Sequence, residues 1–203
     1  LFPMSVRAAS AISISHGAIN TNFPGAPVPA SSPVVSIAKV SVTASSAAQT
    51  LTSIQVNFSG TGFATSDLLA LATGNTSGVA LYNDAGGTAG TFDGTDAVIT
   101  LAASPAFSGN NLVLTPATPV ALTSGTAVIF HVAIKTSGTI SNNDFIEATI
   151  PVNGVMTSDG NGPVVAFAVN NLRADTAAAQ IVSVIGSTSS NTLTVRFSKP
   201  VQK

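Results

Sequence analysis

The residues with the most evident chemical potential lie in one acidic segment, residues 84–96, which reads DAGGTAGTFDGTD. It contains three of the chain's eight carboxylates, Asp84, Asp93 and Asp96, and Asn83 adds an oxygen just before it. Calcium prefers about six to eight oxygen ligands of this kind. The spacing is not that of an EF-hand. Two interpretations stay open: a calcium site at these three aspartates, or a solvated hairpin loop.

Only two residues could act as a catalytic histidine, His16 and His131. Neither lies in a motif typical of a serine hydrolase, a zinc protease or a phosphate-binding loop. Asp144 and Glu147 look like a carboxylate pair, but on a strand their odd separation places them on opposite faces. We therefore predict no catalytic residues and no enzymatic activity. His131 is expected to be a satisfied histidine in the core or between sheets.

Two short motifs, NFS at Asn57 and NTS at Asn75, match the acceptor sequence for N-glycosylation. Such matches are frequent by chance, and abundant serine and threonine leave O-glycosylation equally open. The chain has no tryptophan and one tyrosine, so the aromatic side chains that stack on sugars in carbohydrate-binding sites are scarce. Asn57 and Asn75 are candidates for glycan attachment, and the scarcity of aromatics disfavours a carbohydrate-binding role.

The composition restricts the partners. Only 7% of the 203 residues are charged and the net charge is -1, whereas about 25% charged residues is usual. No basic patch favours nucleic acid, no apolar run approaches the roughly 18 residues of a membrane span, and the absence of cysteine excludes disulfides. A surface with so little charge has weak electrostatic protection against association. We expect a protein that associates with copies of itself or is covered by glycan.

Residues 126–135, TAVIFHVAIK, are expected to form the strand around which the other elements are arranged. Its two faces are both mostly apolar, one with Val128, Phe130, Val132 and Ile134 and the other with Ala127, Ile129, His131 and Ala133. A strand of this kind is covered on both sides. The phenylalanines of the surrounding segments are also expected in the core, namely Phe58, Phe63, Phe92, Phe107, Phe145, Phe167 and Phe197.

Many short apolar segments separated by glycine and asparagine turns predict an all-β fold, an Ig-like β-sandwich of roughly eight to ten strands. A phase shift in the alternation near Lys39 predicts a β-bulge. The one helical candidate is residues 64–73, ATSDLLALAT, about two turns long, which Thr65 or Ser66 could cap. The predicted fold therefore has at most one short helix.

The chain is expected to divide into an N-terminal strand with a proline-rich arm (1–33), a β-sandwich domain (34–173), and a linker with a β-hairpin (174–203). The first strand has one alternating face, Val6, Ala8, Ser10, Ile12 and Ile14. The prolines between residues 24 and 33 make the following arm extended and stiff. Such a strand can pair with a neighbouring copy by β-strand addition, or it can be an ordinary first strand of its own sandwich.

Two stretches carry a resemblance to known proteins. Residues 181–201, IVSVIGSTSSNTLTVRFSKPV, resemble the opening hairpin of bacterial Ig-like domains of surface-layer and other large cell-surface proteins. Residues 51–101, with GVALYNDAGGTAGTFDGTD, are similar to the tandem β-modules of secreted bacterial surface fibres. The hairpin then starts a further Ig-like domain or supplies an assembly strand pair. The resemblance implies an extracellular structural or adhesive protein and no enzyme.

The expected function is therefore structural: a subunit or module of an extracellular filament or surface layer, assembled by strand addition between copies. The alternative is a monomeric adhesin or stalk module that binds a partner through loops at one end of the sandwich, and a variant of it is a stalk stiffened by calcium. No other cofactor is expected.

Overall fold

The computed structural model describes residues 12–16, 27–28, 34–45, 47–68, 78–103, 105–142, 144–174, 180–187 and 192–198. The strands within these ranges are β1 (Ile12–His16), β2 (Pro27–Val28), β3 (Val35–Ala44), β4 (Gln49–Ser59), β5 (Val79–Asn83), β6 (Ala97–Ile99), β7 (Asn111–Leu114), β8 (Val120–Leu122), β9 (Ala127–Ile134), β10 (Phe145–Ile150), β11 (Val155–Thr157), β12 (Asn161–Gly162), β13 (Phe167–Ala174), β14 (Ile181–Ser187) and β15 (Thr192–Phe197). The predicted all-β class is confirmed.

Two sheets form the body of the described chain. The first, sheet A, has the order β1-β3-β9-β5-β6, and all its neighbours are antiparallel. The second, sheet B, has the order β12-β11-β4-β10-β13-β2. One edge of β4 pairs with β10 and β11 while the other pairs with β7 and β8. Because two short strands share each edge of β4, the described part has more strand segments than the eight to ten expected.

The core lies between the two sheets and is continuous. Alternate residues of β3, β4 and β9 supply most of it, and members such as Val40, Val56 and Val132 are completely buried. Phe58 and Phe130 are the largest of these side chains, and Phe63 and Phe107 pack beside Phe58. Burying apolar area of this kind is the main favourable contribution to folding. The arrangement is a β-sandwich.

The predictions for β9 and β3 are confirmed. β9 lies inside sheet A, where Phe130 faces the core and Ala133, on the opposite face, is also completely buried. The register of β3 against β9 shifts between Ser36 and Ala38, which is the bulge predicted near Lys39. An extra residue at a bulge rotates the following side chains to the other face.

The predicted helix 64–73 is wrong in the part that the structure describes. A single 3-10 turn covers Thr65–Asp67, and Leu68 already has extended backbone with φ −102° and ψ 131°. Leu68 is buried and forms an antiparallel bridge with Thr136. The carboxylate of Asp67 accepts the N–H of Ala64 at 2.7 Å, so neither predicted cap is used. Tertiary pairing outweighs the helix propensity of the leucines here; residues 69–77 lie outside the described ranges.

The terminal elements are strands, as predicted. β1 pairs with β3 of its own chain, and two arm residues form β2, which runs parallel to the end of β13. The predicted assembly residues Val6, Ala8 and Ser10 lie outside the described ranges, whereas Ile12 and Ile14 belong to β1. The predicted C-terminal hairpin is confirmed as β14 and β15, a separate two-stranded sheet. Phe197 is 39% exposed there, so its assignment to the core is wrong.

No helix in the described residues is long and apolar enough to cross a membrane.

Candidate functional site

A row of three polar side chains crosses the outer face of sheet A. His131 on β9 lies opposite Lys39 on β3 and opposite Tyr82 on β5. The acidic segment 84–96, which joins β5 to β6, covers this row. The Phe92 ring centroid is 5.0 Å from that of Tyr82 and 5.4 Å from that of His131, and Lys39 Nζ donates to the Gly90 carbonyl at 3.0 Å. The loop therefore acts as a lid on one side of the sandwich.

The three predicted calcium ligands lie in this lid, and their oxygens accept hydrogen bonds from the lid itself. Asp93 accepts from the hydroxyl of Thr95 at 2.6 Å, from its N–H at 2.8 Å and from the N–H of Thr88 at 3.3 Å. These bonds, the Thr95 hydroxyl first, lower the pKa of Asp93 below its ordinary value. Asp96 accepts the N–H of Asp93 at 3.0 Å, and Asp84 accepts the N–H of Gly90.

The hydrogen bonds of these three carboxylates hold the lid in its folded path. In the described part of the chain, no group of three or more histidine, aspartate or glutamate side chains is placed to hold a metal ion. The carboxylates of Asp84 and Asp93 already accept N–H groups of the lid. Calcium at this loop stays a prediction.

His131 is deeply buried beneath the lid, with 1% of its side chain exposed against 3% for Asp84. Its Nδ1 lies 3.0 Å from the hydroxyl oxygen of Ser36, and that hydroxyl donates to the Ala38 carbonyl at 3.2 Å. A hydroxyl has one proton, so the consistent arrangement is His131 Nδ1–H donating to Ser36. The sequence placed His131 in the core or between the sheets. It is buried, but it lies on the outer face of sheet A beneath the lid.

The other ring nitrogen is unsatisfied. His131 Nε2 has no hydrogen-bond partner among the described residues and lies 3.9 Å from Asp84 Oδ2. Asp96 Oδ1 is buried without a partner as well. Burial lowers the pKa of His131, and the carboxylates of Asp96 and Asp84 oppose this shift only in part. The imidazole is therefore neutral at pH 7.

Ser36, His131 and Asp84 share the residue types of a catalytic triad but not its access. Only 3% of Ser36 is exposed, and the serine lies at Nδ1 while the carboxylate lies nearer Nε2. A nucleophile must reach a substrate carbonyl, and this hydroxyl is covered. Ser36 was missed at the sequence level, because its approach to His131 depends on the bulge in β3.

The predicted assembly strand lies at an edge of sheet A. Five residue pairs join β1 to β3, from Ile12 opposite Ala44 to His16 opposite Val40. Ile14 lies opposite Val42, a completely buried residue. The other side of β1 has no strand partner in the described ranges.

Of the two glycosylation candidates, Asn57 lies in the described part of the chain. Asn57 lies in the middle of sheet B, opposite Asn111 on β7 and Thr149 on β10. It is half-buried, and its side-chain oxygen accepts a hydrogen bond from Gln55 at 3.2 Å. Asn75 lies outside the described ranges. Glycosylation at both positions stays a prediction.

No known protein family matches the chain, and no curated protein matches it. A solved structure titled "AvmM Catalyzes Macrocyclization in Alchivemycin A Biosynthesis" is similar over 85% of this chain and 92% of its own. The two are 13% identical with a TM-score of 0.37. That title names an enzyme, but a likeness at this level supports no conclusion about function. The Ig-like and surface-layer resemblance stays a prediction.

Proposed function

We propose that this protein is an extracellular structural subunit or module of a cell-surface filament or surface layer, and that copies assemble by exchanging the N-terminal strand. The observation that carries the proposal is the position of β1. It forms one edge of sheet A through a five-residue antiparallel ladder to β3. A strand held at an edge by main-chain bonds can be supplied equally well by another chain.

The exchange needs no new contacts. The β1 of a neighbouring copy would pair with β3 in the same register, Ile12 opposite Ala44 and His16 opposite Val40. Residues 17–34 between β1 and β3 would determine how far the strand reaches, and their prolines favour an extended path. Exchange of an identical element is an established low-cost route to oligomers, and a repeated head-to-tail exchange produces an open chain.

The composition supports association. With 7% charged residues and a net charge of -1, neighbouring copies repel one another little. The deep core of the body also means that a body lacking β1 keeps most of its apolar contacts, because β3, β4 and β9 supply them. Such a body should fold and then accept a strand from a neighbour.

Cysteine cross-linking tests the exchange directly, because the chain contains no cysteine. Ser15 lies opposite Ser41 in the β1–β3 register. A chain with Ser15→Cys should form a disulfide with a second chain carrying Ser41→Cys when the two are mixed under oxidising conditions. The matched control pairs Ser15→Cys with Ser53→Cys, a serine on sheet B. Equal yields for both mixtures, or none for the first, would overturn the proposal.

Electron microscopy of the purified protein with and without calcium then shows what the exchange builds. We expect ordered filaments or sheets for the full chain and isolated folded particles after deletion of residues 1–20. Assembly that survives the deletion contradicts a role for this strand.

A second candidate is a monomeric adhesin or stalk module that binds its partner through loops at one end of the sandwich. The specific observation that favours it is the pairing of β1 with its own β3, which completes the sandwich within one chain. A calcium-stiffened variant uses Asp84, Asp93 and Asp96. For this candidate the protein stays monomeric, and calcium raises the Tm of the natural chain but not that of Asp96→Asn.

Both candidates are non-enzymatic. The strongest arrangement for nucleophilic chemistry among the described residues, Ser36 with His131, is buried under the lid. Opening the lid would break the bond between Lys39 and the Gly90 carbonyl and the ring contact of Phe92 with His131. We assign this cluster to the stability of sheet A.

A further inference from the structure

The C-terminal hairpin has one apolar face and one mainly polar face. The register pairs Ile181 with Phe197, Val184 with Val195, and Gly186 with Leu193. Directly opposite residues of an antiparallel pair share a face, so these side chains lie on the same side. The other side has Ser183 opposite Arg196 and Ile185 opposite Thr194. The hairpin therefore has the pattern of a sheet that packs against something.

Nothing in the described part of the chain covers the apolar side. Its side chains are exposed to different degrees, Ile181 by 62%, Val184 by 53%, Leu193 by 67%, Val195 by 37% and Phe197 by 39%. In the body, by contrast, inward-facing residues of the strands are almost completely buried. A two-stranded hairpin is marginally stable in water by itself, and covering this face would stabilise it.

We propose that this face, formed by Ile181, Val184, Leu193, Val195 and Phe197, docks against the same face of a second copy. The five residues together expose on the order of 500 Å², backbone included, which is near the upper end for one patch on a monomer. Two such faces would bury at most about 1,000 Å² together, which is the lower bound for a specific protein interface. The pairing is isologous, so one self-complementary patch is sufficient.

The charge distribution fits a second copy. The apolar face contains no charged residue, and Arg196 lies on the opposite side of the hairpin. Face-to-face packing therefore buries no charge and leaves the two arginines in water, which avoids the desolvation cost of a buried ion. The body also exposes apolar residues, Val98 by 63%, Val164 by 87% and Val165 by 71%, so docking of the hairpin on the body is an outcome that the test below distinguishes.

This joint is distinct from the exchange of β1. Strand exchange is head-to-tail and grows a chain, whereas hairpin docking is symmetric and closes on a pair. Together they would link parallel chains laterally, which is how a filament becomes a sheet. The hairpin pairing holds independently if the strand exchange does not occur.

The test removes strand exchange first. The double variant Ser15→Cys, Ser41→Cys, oxidised as a dilute monomer, keeps β1 on its own β3. Sedimentation equilibrium of this locked chain should show a reversible dimer. Adding Leu193→Ser should weaken the dimer at least about tenfold, because losing a buried anchor removes a large share of interface energy. Adding Ile185→Ser is the matched control: it removes a residue that is 64% exposed on the other face, and it should change the dimer constant less than about twofold.

A locked chain that stays monomeric overturns the proposal, as does equal weakening by the two substitutions.

Amide hydrogen exchange tests whether a weaker dimer results from unfolding of the hairpin. Protection of β14 and β15 should rise with concentration in the locked chain and in the Ile185→Ser variant. It should stay constant with concentration in the Leu193→Ser variant. A hairpin whose protection is independent of concentration in the locked chain is covered by its own body, which contradicts docking. The cysteine mixing experiment on β1 has a separate readout, so either joint can fail without the other.

Discussion

The sandwich body and the C-terminal hairpin have the same sequence pattern and opposite burial. In β7, Leu112 and Leu114 alternate with the exposed residues Asn111 and Val113 and are completely buried. In β15, Leu193 alternates in the same way and is 67% exposed. Alternation determines which side chains share a face, but burial also needs an opposing layer. The body has that layer within one chain, and the hairpin does not have it in the described part.

The two outer faces of the body show a related difference. Sheet A is covered by the acidic lid, whose carboxylates accept the lid's own N–H groups. On the outer face of sheet B, polar residues such as Gln55 and Asn57 are half-buried. A polar loop can therefore substitute for an apolar layer when its polar groups are satisfied locally. His131 Nε2 and Asp96 Oδ1 are buried beneath the lid without a hydrogen-bond partner among the described residues, so the lid does not satisfy every polar group it covers.

The largest expected contrast between body and hairpin is in phenylalanine truncation. Phe130→Ala removes a completely buried ring and should lower the free energy of unfolding by about 3–5 kcal/mol. Phe197→Ala, at a ring that is 39% exposed, should cost less than about 1 kcal/mol. Urea unfolding at low protein concentration measures both. Similar losses for the two variants would show that the hairpin packs on its own body.

Glycine substitutions give the next contrast. Gly60 has φ +135°, and a Cβ there would lie 1.8 Å from the Phe145 carbonyl oxygen. Gly60→Ala should therefore cost about 2–4 kcal/mol through backbone strain and overpacking. Gly186 in the hairpin has open space around its Cβ position, so Gly186→Ala should be neutral or stabilising by less than about 1 kcal/mol. Thermal unfolding of both variants is the measurement, and a destabilised Gly186→Ala would contradict an uncovered hairpin.

The lid predicts a pH dependence that the hairpin does not share. The pKa of His131 is lowered in the folded state, mainly by burial, while an unfolded histidine titrates near about 6.5. Below that pH the unfolded chain binds the extra proton first, so the free energy of unfolding should fall as pH falls. The slope is at most about 1.4 kcal/mol per pH unit for one proton. The groups that face His131 are Lys39 on β3, Tyr82 on β5, and Asp84, Asp93 and Asp96 of the lid.

Urea midpoints between pH 7.5 and 5.5 test this dependence (about one unit either side of the free histidine pKa). The slope should disappear in His131→Gln and persist in His16→Gln, the matched control at the other histidine. A slope that persists without His131 would assign the effect to another group.

The smallest expected effect is at the lid's own hydrogen bonds. Asp93→Asn weakens acceptors for Thr95 and Thr88 and should loosen the lid without unfolding the body. Tyr82, the chain's single tyrosine, contacts Phe92 under the lid, so acrylamide should quench its fluorescence slightly more strongly. Asp144→Asn is the matched control, because Asp144 accepts the N–H of Ser141 outside the lid. The pKa of Asp93 is lowered in the folded state. The stabilisation from its hydrogen bonds is therefore fully present at a pH above the ordinary aspartate pKa. It is lost as the pH falls through the lowered pKa of the folded state.

Part of the fold and site followed from pattern alone. The central strand, the bulge in β3 and the C-terminal hairpin were predicted, because alternation and turn residues act over a few neighbouring residues. The helix predicted at 64–73 is wrong in its described part, since Leu68 is held extended by Thr136, a partner 68 positions away. The lid aspartates were found as a cluster, but their donors, Thr88, Gly90 and Thr95, depend on the path of the loop.

The sequence by itself determined that this chain is an all-β protein with little charge, no cysteine and an amphipathic strand pair at its C-terminal end. These properties follow from residue type and period, which need no knowledge of distant contacts. Only the tertiary structure decided which surfaces are covered. It placed His131 beneath the lid, paired β1 with the edge of sheet A, and left the apolar face of the hairpin exposed. Burial depends on residues that meet in space after long loops close, and a local pattern does not contain that information.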